Sequence, residues 1–222
     1  MGRDLAFDSP AGSIDGWRAD PVSAPRGGLV VVQEIFGVNA HMRAVADRYA
    51  AEGYVALAPS FFDPVERGVE LDYDQDGFAR GRALVAELGF ERAVAIVDAA
   101  ARLLQGEGLR VAVVGFCWGG TVALLANTRL GLPAISYYGA RNVQFLDEPL
   151  RAPMQFHFGG RDASIPAEDI ARHREAWPQA GVYVYPAAGH AFNRDVDIHA
   201  FEPESARLAH ERMLAFLDTA LA

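Results

Sequence analysis

Val111-Ala112-Val113-Val114-Gly115-Phe116-Cys117-Trp118-Gly119-Gly120 is an apolar strand pattern that runs into a glycine-flanked cysteine, and a helical stretch from Thr121 to Asn127 follows. The glycines decide the reading. A turn sharp enough to pass straight from strand to helix leaves no room for a Cβ beside it, and it lifts the central side chain above the sheet. At the start of the next helix, Cys117 meets the partial positive charge of the helix end, which favours a nucleophilic thiolate. Most free cysteines are small buried hydrophobes; here the strand before, the helix after and the glycines on both sides favour a nucleophile. A phosphate-binding loop is excluded, because no Lys followed by Ser or Thr comes after the glycines.

The same alternation extends in both directions. Upstream, short strands are expected near Asp4 to Phe7 and Ile14 to Arg18, then a fully apolar strand at Leu29 to Val32 that stops at Gln33-Glu34. Asn39 is placed to cap a helix whose apolar residues Met42, Val45, Ala46, Tyr49 and Ala50 recur at helical spacing, with Gly53 ending it. Tyr54 to Ala58 reads as another strand. Phe61 to Gly77 is acidic and turn-rich and suggests a long surface excursion. A helix through Phe90, Val94, Val97, Ala101 and Leu104 leads back to the opening strand. Downstream come strands at Ala134 to Tyr138, Met154 to Phe158 and Val182 to Tyr185. Pro166 opens a helix between the last two, and Ala209, Met213, Phe216 and Leu217 line the face of a final one. Strands alternating with helices imply an α/β fold with a mostly parallel, twisted sheet covered on both faces, and ligands in such sheets bind beyond the strands' carboxyl ends.

Composition narrows the partners. The chain has 222 residues, 51% of them hydrophobic and 22% charged, as in an ordinary globular domain, and one domain over 1–222 is the expectation. A net charge of −9 repels a phosphate backbone, so nucleic acid is an unsuitable partner. A single cysteine forms no disulfide within the chain, the N-terminal Met1 to Ala6 lacks a secretory apolar core, and no apolar run is long enough to span a bilayer. These features suggest a soluble cytoplasmic protein, unanchored, as a monomer or homodimer.

A cysteine nucleophile needs a base. His190, in Gly189-His190-Ala191-Phe192 just after the last strand, is the best placed of the histidines. His157, between Phe156 and Phe158, reads as packing. His41, His173, His199 and His210 read as solvated residues of helices or loops. The loop after the preceding strand, Gly159-Gly160-Arg161-Asp162, supplies Asp162 to fix the His190 tautomer. Cys117, Asp162, His190 is the nucleophile, acid, histidine order of α/β-hydrolases. The oxyanion hole would take the backbone N–H of Trp118 and a second from the loop after an earlier strand, for which Ile35 is the choice.

Gln33-Glu34-Ile35-Phe36-Gly37-Val38-Asn39, Gly115 to Gly120, Tyr137-Tyr138-Gly139, Gly160-Arg161-Asp162 and Gly189-His190-Ala191-Phe192 together resemble the dienelactone hydrolase family, cofactor-free α/β-hydrolases with a Cys-His-Asp triad. The resemblance covers nearly the whole chain. It implies that Glu34 helps activate the thiol and interacts with Arg194, that Arg194 helps hold a substrate carboxylate, and that Phe36 and Tyr138 line the pocket. An ion pair of Glu34 and Arg194 without any part in catalysis is the plainer reading of those two residues. The implied activity is hydrolysis of a lactone or small ester, with an anionic substrate favoured by Arg194. A thiol sensor or binding pocket without turnover, and a general carboxylesterase, are the alternatives. The chain departs from the family before its long helix, where Arg80 and Arg82 do not cleanly match the second substrate-binding arginine. The acidic cluster Asp72, Asp74, Asp76 has no closing glutamate at calcium-loop spacing and reads as a solvated loop.

Overall fold

A computed structural model describes residues 2–222; Met1, which opens the N-terminal stretch read above, lies outside them. Among the described residues the fold is α/β, with eight strands, mostly parallel, and helices between them. The chain divides into two compact units within one strand, a first running to Val113 and a second from Val114 to Ala222.

In the first unit, β1 (Arg3–Ser9), β2 (Gly12–Ala19), β4 (Tyr54–Pro59) and β3 (Gly27–Val32) pair in that spatial order. β1 and β2 form an antiparallel hairpin and β2 lies antiparallel to β4, whereas β3 and β4 are parallel. Every residue of β3 and β4 is buried, as their unbroken apolar sequence requires. Between them, α1 (Ala40–Ala51) is capped as its sequence predicts, with the Asn39 side chain accepting the Met42 N–H at 3.2 Å. The helix α2 (Gln75–Gly106) begins well before the expected apolar stripe and is broken by Gly89 at φ 72°.

The Phe61 to Gly77 segment runs over the surface as expected, residues 64–76 being exposed or half-buried, but it is anchored at its start and near its middle. Phe61 and Phe62 are buried, and Gly37 bridges Glu70 in an isolated β-bridge. The Leu71 N–H donates to the Phe36 carbonyl at 2.9 Å, and Arg43 forks onto the Glu70 carboxylate at 2.7 and 2.9 Å. The acidic composition describes most of the segment, while Phe61, Phe62 and the backbone contacts at Glu70 and Leu71 tie it to the fold.

The strand β5 (Val111–Phe116) carries the chain into the second unit, where β6 (Ala134–Tyr137), β7 (Met154–Gly159) and β8 (Gly181–Tyr185) follow in sequence order, β7 parallel to both its neighbours. The helices are α3 (Trp118–Leu125), extended by a π-helical turn at Ala126–Leu130, α4 (Ala167–Ala176) after Pro166, and α5 (Pro203–Ala220). No helix among the described residues is long and apolar enough to cross a membrane.

Two histidines expected in solvent are buried. His41 lies on the inner face of α1, and His173 turns inward from α4 against Phe156, Phe158 and Trp177. The His173 Nδ1–H donates to the Asp169 carbonyl one turn back at 2.7 Å, and burial lowers its pKa. A histidine on a largely charged helix is drawn inward here because the cluster beneath it is aromatic.

Candidate active site

Cys117 sits at the junction of β5 and α3 with φ 54° and ψ −116°, a left-handed backbone rare for a residue with a side chain. The crossing holds because Gly115 offers no side chain. A Cβ there would fall 1.9 Å from the Gly119 carbonyl oxygen. The Cys117 N–H donates to the Tyr137 carbonyl at 3.0 Å, and its own carbonyl accepts the Gly120 N–H at 3.0 Å. The cysteine is therefore pinned from β6 and from the first turn of α3, with its side chain part-exposed. Trp118 opens α3, so its N–H points out of the helix at the residue after the cysteine.

Asp162 and His190 come from the loops after β7 and β8. These loops are laced together by the Gly160 N–H to the Tyr185 carbonyl and the Arg161 N–H to the Ala188 carbonyl, both at 2.8 Å. Asp162 is fully buried at its side chain. One carboxylate oxygen lies 2.7 Å from His190 Nδ1 and the other accepts the Ser164 N–H at 2.8 Å. Burial disfavours the Asp162 carboxylate, but the proton and charge of His190 and the Ser164 N–H outweigh it, and its pKa falls below the usual value. Burial likewise opposes the His190 imidazolium. The hydrogen bonds to the Asp162 carboxylate and to Cys117 prevail, and raise His190 to about 10. With Nδ1 held by Asp162, the Nε2 face of the ring serves the sulfur. The three residues picked from the sequence thus come together in one unit.

Three residues in the described chain other than glycine have positive φ: Cys117, Tyr138 at 40° and Ala191 at 58°. All belong to this site, and such conformations cost about 1–3 kcal/mol each. Tyr138 follows β6, donates its N–H to the His157 carbonyl at 2.8 Å, and stacks at a tilt on His190 with centroids 4.9 Å apart. Its hydroxyl is hydrogen-bonded to Asn193. Tyr138, expected from the resemblance to line the pocket, is buried, and its ring and hydroxyl contact His190 and Asn193 of the same loop.

Beneath this layer His157 lies in β7 in register with Tyr137 of β6 and Tyr183 of β8, which stacks its ring 4.4 Å from the first and 5.6 Å from the second. Its hydrogen bonds close a ring. The Arg212 side chain donates to the Tyr185 hydroxyl, which donates to His157 Nδ1 at 2.7 Å. The proton on Nε2 then goes to Gln155 Oε1 at 2.8 Å, and the Gln155 amide returns to the Arg212 carbonyl at 3.3 Å. Burial and the positive charge of Arg212 push His157 down to about 3, so it stays neutral and fully engaged. The reading of His157 as a packing residue holds, with a polar network that flanking phenylalanines do not reveal.

Arg194 follows on the His190 loop, its N–H on the Ala191 carbonyl at 2.9 Å, and its buried guanidinium meets Asp197 with Nη1 3.1 Å from Oδ2. Asn193 and Asp197 are the residues sequence reading missed. Two short polar side chains within a turn-rich loop signal a turn, but their partners are set by how that loop folds. In the first unit, Glu34 and Ile35 are buried just after β3, and Phe36 lies edge-on to Tyr73 at 4.7 Å. Arg80 pairs with Glu66, and Arg82 lies over the Phe78 ring at 5.9 Å. A cavity of about 460 Å³ in this unit is lined by Asp4, Asp15, Trp17, Arg43, Val69 and Glu70 among others, none of them a candidate catalytic residue.

The sequence profile of the dienelactone hydrolase family matches residues 14–221. A carboxymethylenebutenolidase of Pseudomonas putida is 34% identical over 208 residues, 89% of this chain and 87% of that one. Among solved structures, a candidate dienelactone hydrolase from Klebsiella pneumoniae superposes with a TM-score of 0.85 at 30% identity, over 98% of each chain. A dienelactone hydrolase-like promiscuous phosphotriesterase from metagenomic libraries shares the fold, with a TM-score of 0.80 at 21% identity, covering 100% of this chain and 99% of that one. A thiol pinned at a strand-to-helix crossing, the order of its partners along the chain and these likenesses across its length agree: the chain belongs to the dienelactone hydrolase family and is a hydrolase of the α/β fold.

Proposed function

We propose that the protein hydrolyses a lactone or small carboxylic ester through an acyl-enzyme on Cys117. The observation that carries this reading is the His190 imidazole, hydrogen-bonded to the cysteine sulfur on one side and to the buried Asp162 carboxylate on the other. The sulfur attacks the carbonyl carbon, a carbon–sulfur bond forms, and the bond from that carbon to the alcohol or enol oxygen breaks. His190 Nε2 gives its proton to the departing oxygen. Water then attacks the thioester, passing a proton to His190, and the carboxylic acid leaves as the sulfur is restored. The Trp118 N–H is the donor that stabilises the oxyanion, and the partial positive charge of the α3 terminus adds to it. Arg194, on the same loop as His190, is the cation that meets a charged group on the substrate.

Activated esters and a panel of unsaturated lactones, turned over by wild type and by Cys117→Ala, test this directly. Turnover is expected from the wild type alone, and intact mass after brief ester incubation should show one acyl group added at Cys117. Full activity in Cys117→Ala would refute the mechanism. Peroxide oxidation of the thiol with no turnover of any ester would favour a thiol sensor instead.

A further inference from the structure

We propose that the cavity of the first unit is a binding site for a small organic ammonium compound, held between the Trp17 indole and the Asp4 carboxylate. The site is separate from the chemistry assigned to Cys117, and no step of that reaction uses it.

At about 460 Å³ the cavity has the size of a small-molecule site, for which about 300–1,000 Å³ is usual. The hairpin of β1 and β2 builds one wall. Asp4 pairs with Trp17, and Ala6 with Asp15, across the two antiparallel strands, and residues opposite one another share a face. One side of the hairpin therefore presents an indole and two carboxylates around an alanine, and all four residues line the cavity. Val38 and Val69 add apolar surface.

The negative charge of this cavity is only partly answered. Arg43 is committed, with Nη1 on the Val38 carbonyl at 2.8 Å and both terminal nitrogens on Glu70. Arg67 reaches Asp15, Nη2 lying 2.7 Å from Oδ2. Asp4 has neither a hydrogen bond nor an ion pair among the described residues, and feels Arg43 only through its field.

Asp63 adds a further acid behind the wall. It is 8% exposed, and its Oδ2 accepts the Asp15 N–H at 2.7 Å. Its Oδ1 is buried without a hydrogen bond of full geometry, although the Gly68 N–H also faces the carboxyl group. The Asp63 N–H donates to the Ser60 carbonyl at 3.1 Å, and Asp15, Ser60 and Gly68 all line the cavity, so this carboxyl group lies directly behind them. Burial, with the charge of Asp15, raises its pKa, as for an acid short of positive partners. The acids Asp4, Asp15, Asp63 and Glu70 thus outnumber the cations Arg43 and Arg67, and a concave surface with excess negative charge concentrates cations.

The shape of the missing cation follows from the walls. No three His, Cys, Asp or Glu side chains among the described residues converge to hold a metal ion. An aromatic ring and two valines suit a cation with a hydrocarbon body instead. The Trp17 ring already draws one guanidinium, with Arg43 Cζ 6.0 Å from its centroid, at the outer limit of such contacts.

Phenethylammonium and its neutral counterpart phenethyl alcohol provide the test, followed by NMR of the full chain. The tryptophans are Trp17, Trp118 and Trp177, and Trp17→Phe identifies the indole N–H signal of the first, which donates to Asp47 at 2.9 Å. Phenethylammonium should shift the Trp17 signal ahead of the other two, with an affinity about tenfold above that of the alcohol. Asp4→Asn should weaken it about threefold to fivefold. Glu168→Gln, which removes the same charge from an exposed position of α4, should leave it unchanged. A Trp17 signal unmoved up to the solubility limit, or equal affinities for the ammonium and the alcohol in wild type, would overturn the proposal without recourse to any variant at Asp4. Equal losses in Asp4→Asn and Glu168→Gln would overturn it too, assigning the attraction to net charge and not to this cavity.

Discussion

The hydroxyl of Tyr138 is hydrogen-bonded to Oδ1 of Asn193, which joins the residue just after β6 to the loop that carries His190. Tyr138 and Ala191 both sit in strained backbone conformations, and the Tyr138 ring rests on His190. The bond therefore holds the imidazole at its working angle without touching the reacting atoms. Tyr138→Phe keeps the ring and removes the bond. A net hydrogen bond of about 0.5–1.5 kcal/mol corresponds to a fall in kcat of about 2- to 12-fold, with KM little changed. Asn193→Ala should behave alike, and the double variant should be no worse than either single one, since both delete the same interaction. Additive losses would contradict the latch.

Gly81 lies in α2 against the backbone of Ile35, where a Cβ would fall 2.1 Å from the Ile35 carbonyl oxygen. The α/β-hydrolase pattern in the sequence suggests the Ile35 N–H as a second oxyanion donor, and a backbone donor is beyond the reach of ordinary side-chain mutagenesis. Gly81→Ala reaches it by displacement. The overlap should destabilise the protein by about 1–3 kcal/mol in urea unfolding, despite the better helix propensity of alanine. On that role kcat should fall by more than tenfold, toward the loss of about 10² seen when one oxyanion donor is removed. Unchanged stability and unchanged kcat together would place Ile35 elsewhere.

The electrostatics of His190 give a pH dependence of definite sign. An ordinary histidine titrates near 6.5, whereas His190 is raised to about 10 in the folded chain. Its protonation favours the folded state; that contribution is complete below pH 6.5 and is lost as pH rises through about 10. The difference in urea midpoint between wild type and His190→Gln should therefore shrink across this window. A flat difference would mean that the imidazolium gains nothing from Asp162 and the sulfur. Asp162→Asn frees the ring to take the other tautomer, and by analogy with serine triads kcat should fall by about 10⁴.

His157 acts with the opposite sign. It is lowered to about 3, so between pH 6.5 and 3 the unfolded chain takes up a proton that the folded chain refuses. Stability should drop as pH falls through that interval. His157→Gln removes that proton's share of the acid sensitivity. At neutral pH the same change should cost about 1–3 kcal/mol, because the buried Tyr185 hydroxyl loses its acceptor. Equal pH slopes for the two proteins would show that the histidine does not drive acid unfolding.

How far each feature is legible in the sequence follows from where its determinants lie. Cys117, Asp162 and His190 each follow a strand that announces itself by an apolar run and closes on glycine or a turn, so local pattern and chain order suffice to pick them. The strands themselves are legible for the same reason, and β5, β7 and β8 run within one or two residues of their apolar cores. The Phe61 to Gly77 segment is less legible. Its composition is that of a loop, while its position is fixed by a bridge from Glu70 to Gly37 some thirty residues earlier, a pairing with no local signature. Tyr138, Asn193 and Asp197 belong to this second kind. Their residue types permit many roles, and the partner that selects one lies on another loop, or across a turn whose shape is settled only when the chain folds.

The ring of hydrogen bonds through Arg212, Tyr185, His157 and Gln155 sets an order of events during biosynthesis. Its first and last links both lie on α5, the final helix of the chain. While Arg212 is still inside the ribosome, the neutral histidine beneath the catalytic layer has neither the donor that orients Tyr185 nor the carbonyl that anchors Gln155. The second unit of a nascent chain thus stays unfinished until Arg212 has left the ribosome, and a chain lacking α5 would leave Tyr185 and Gln155 without these partners.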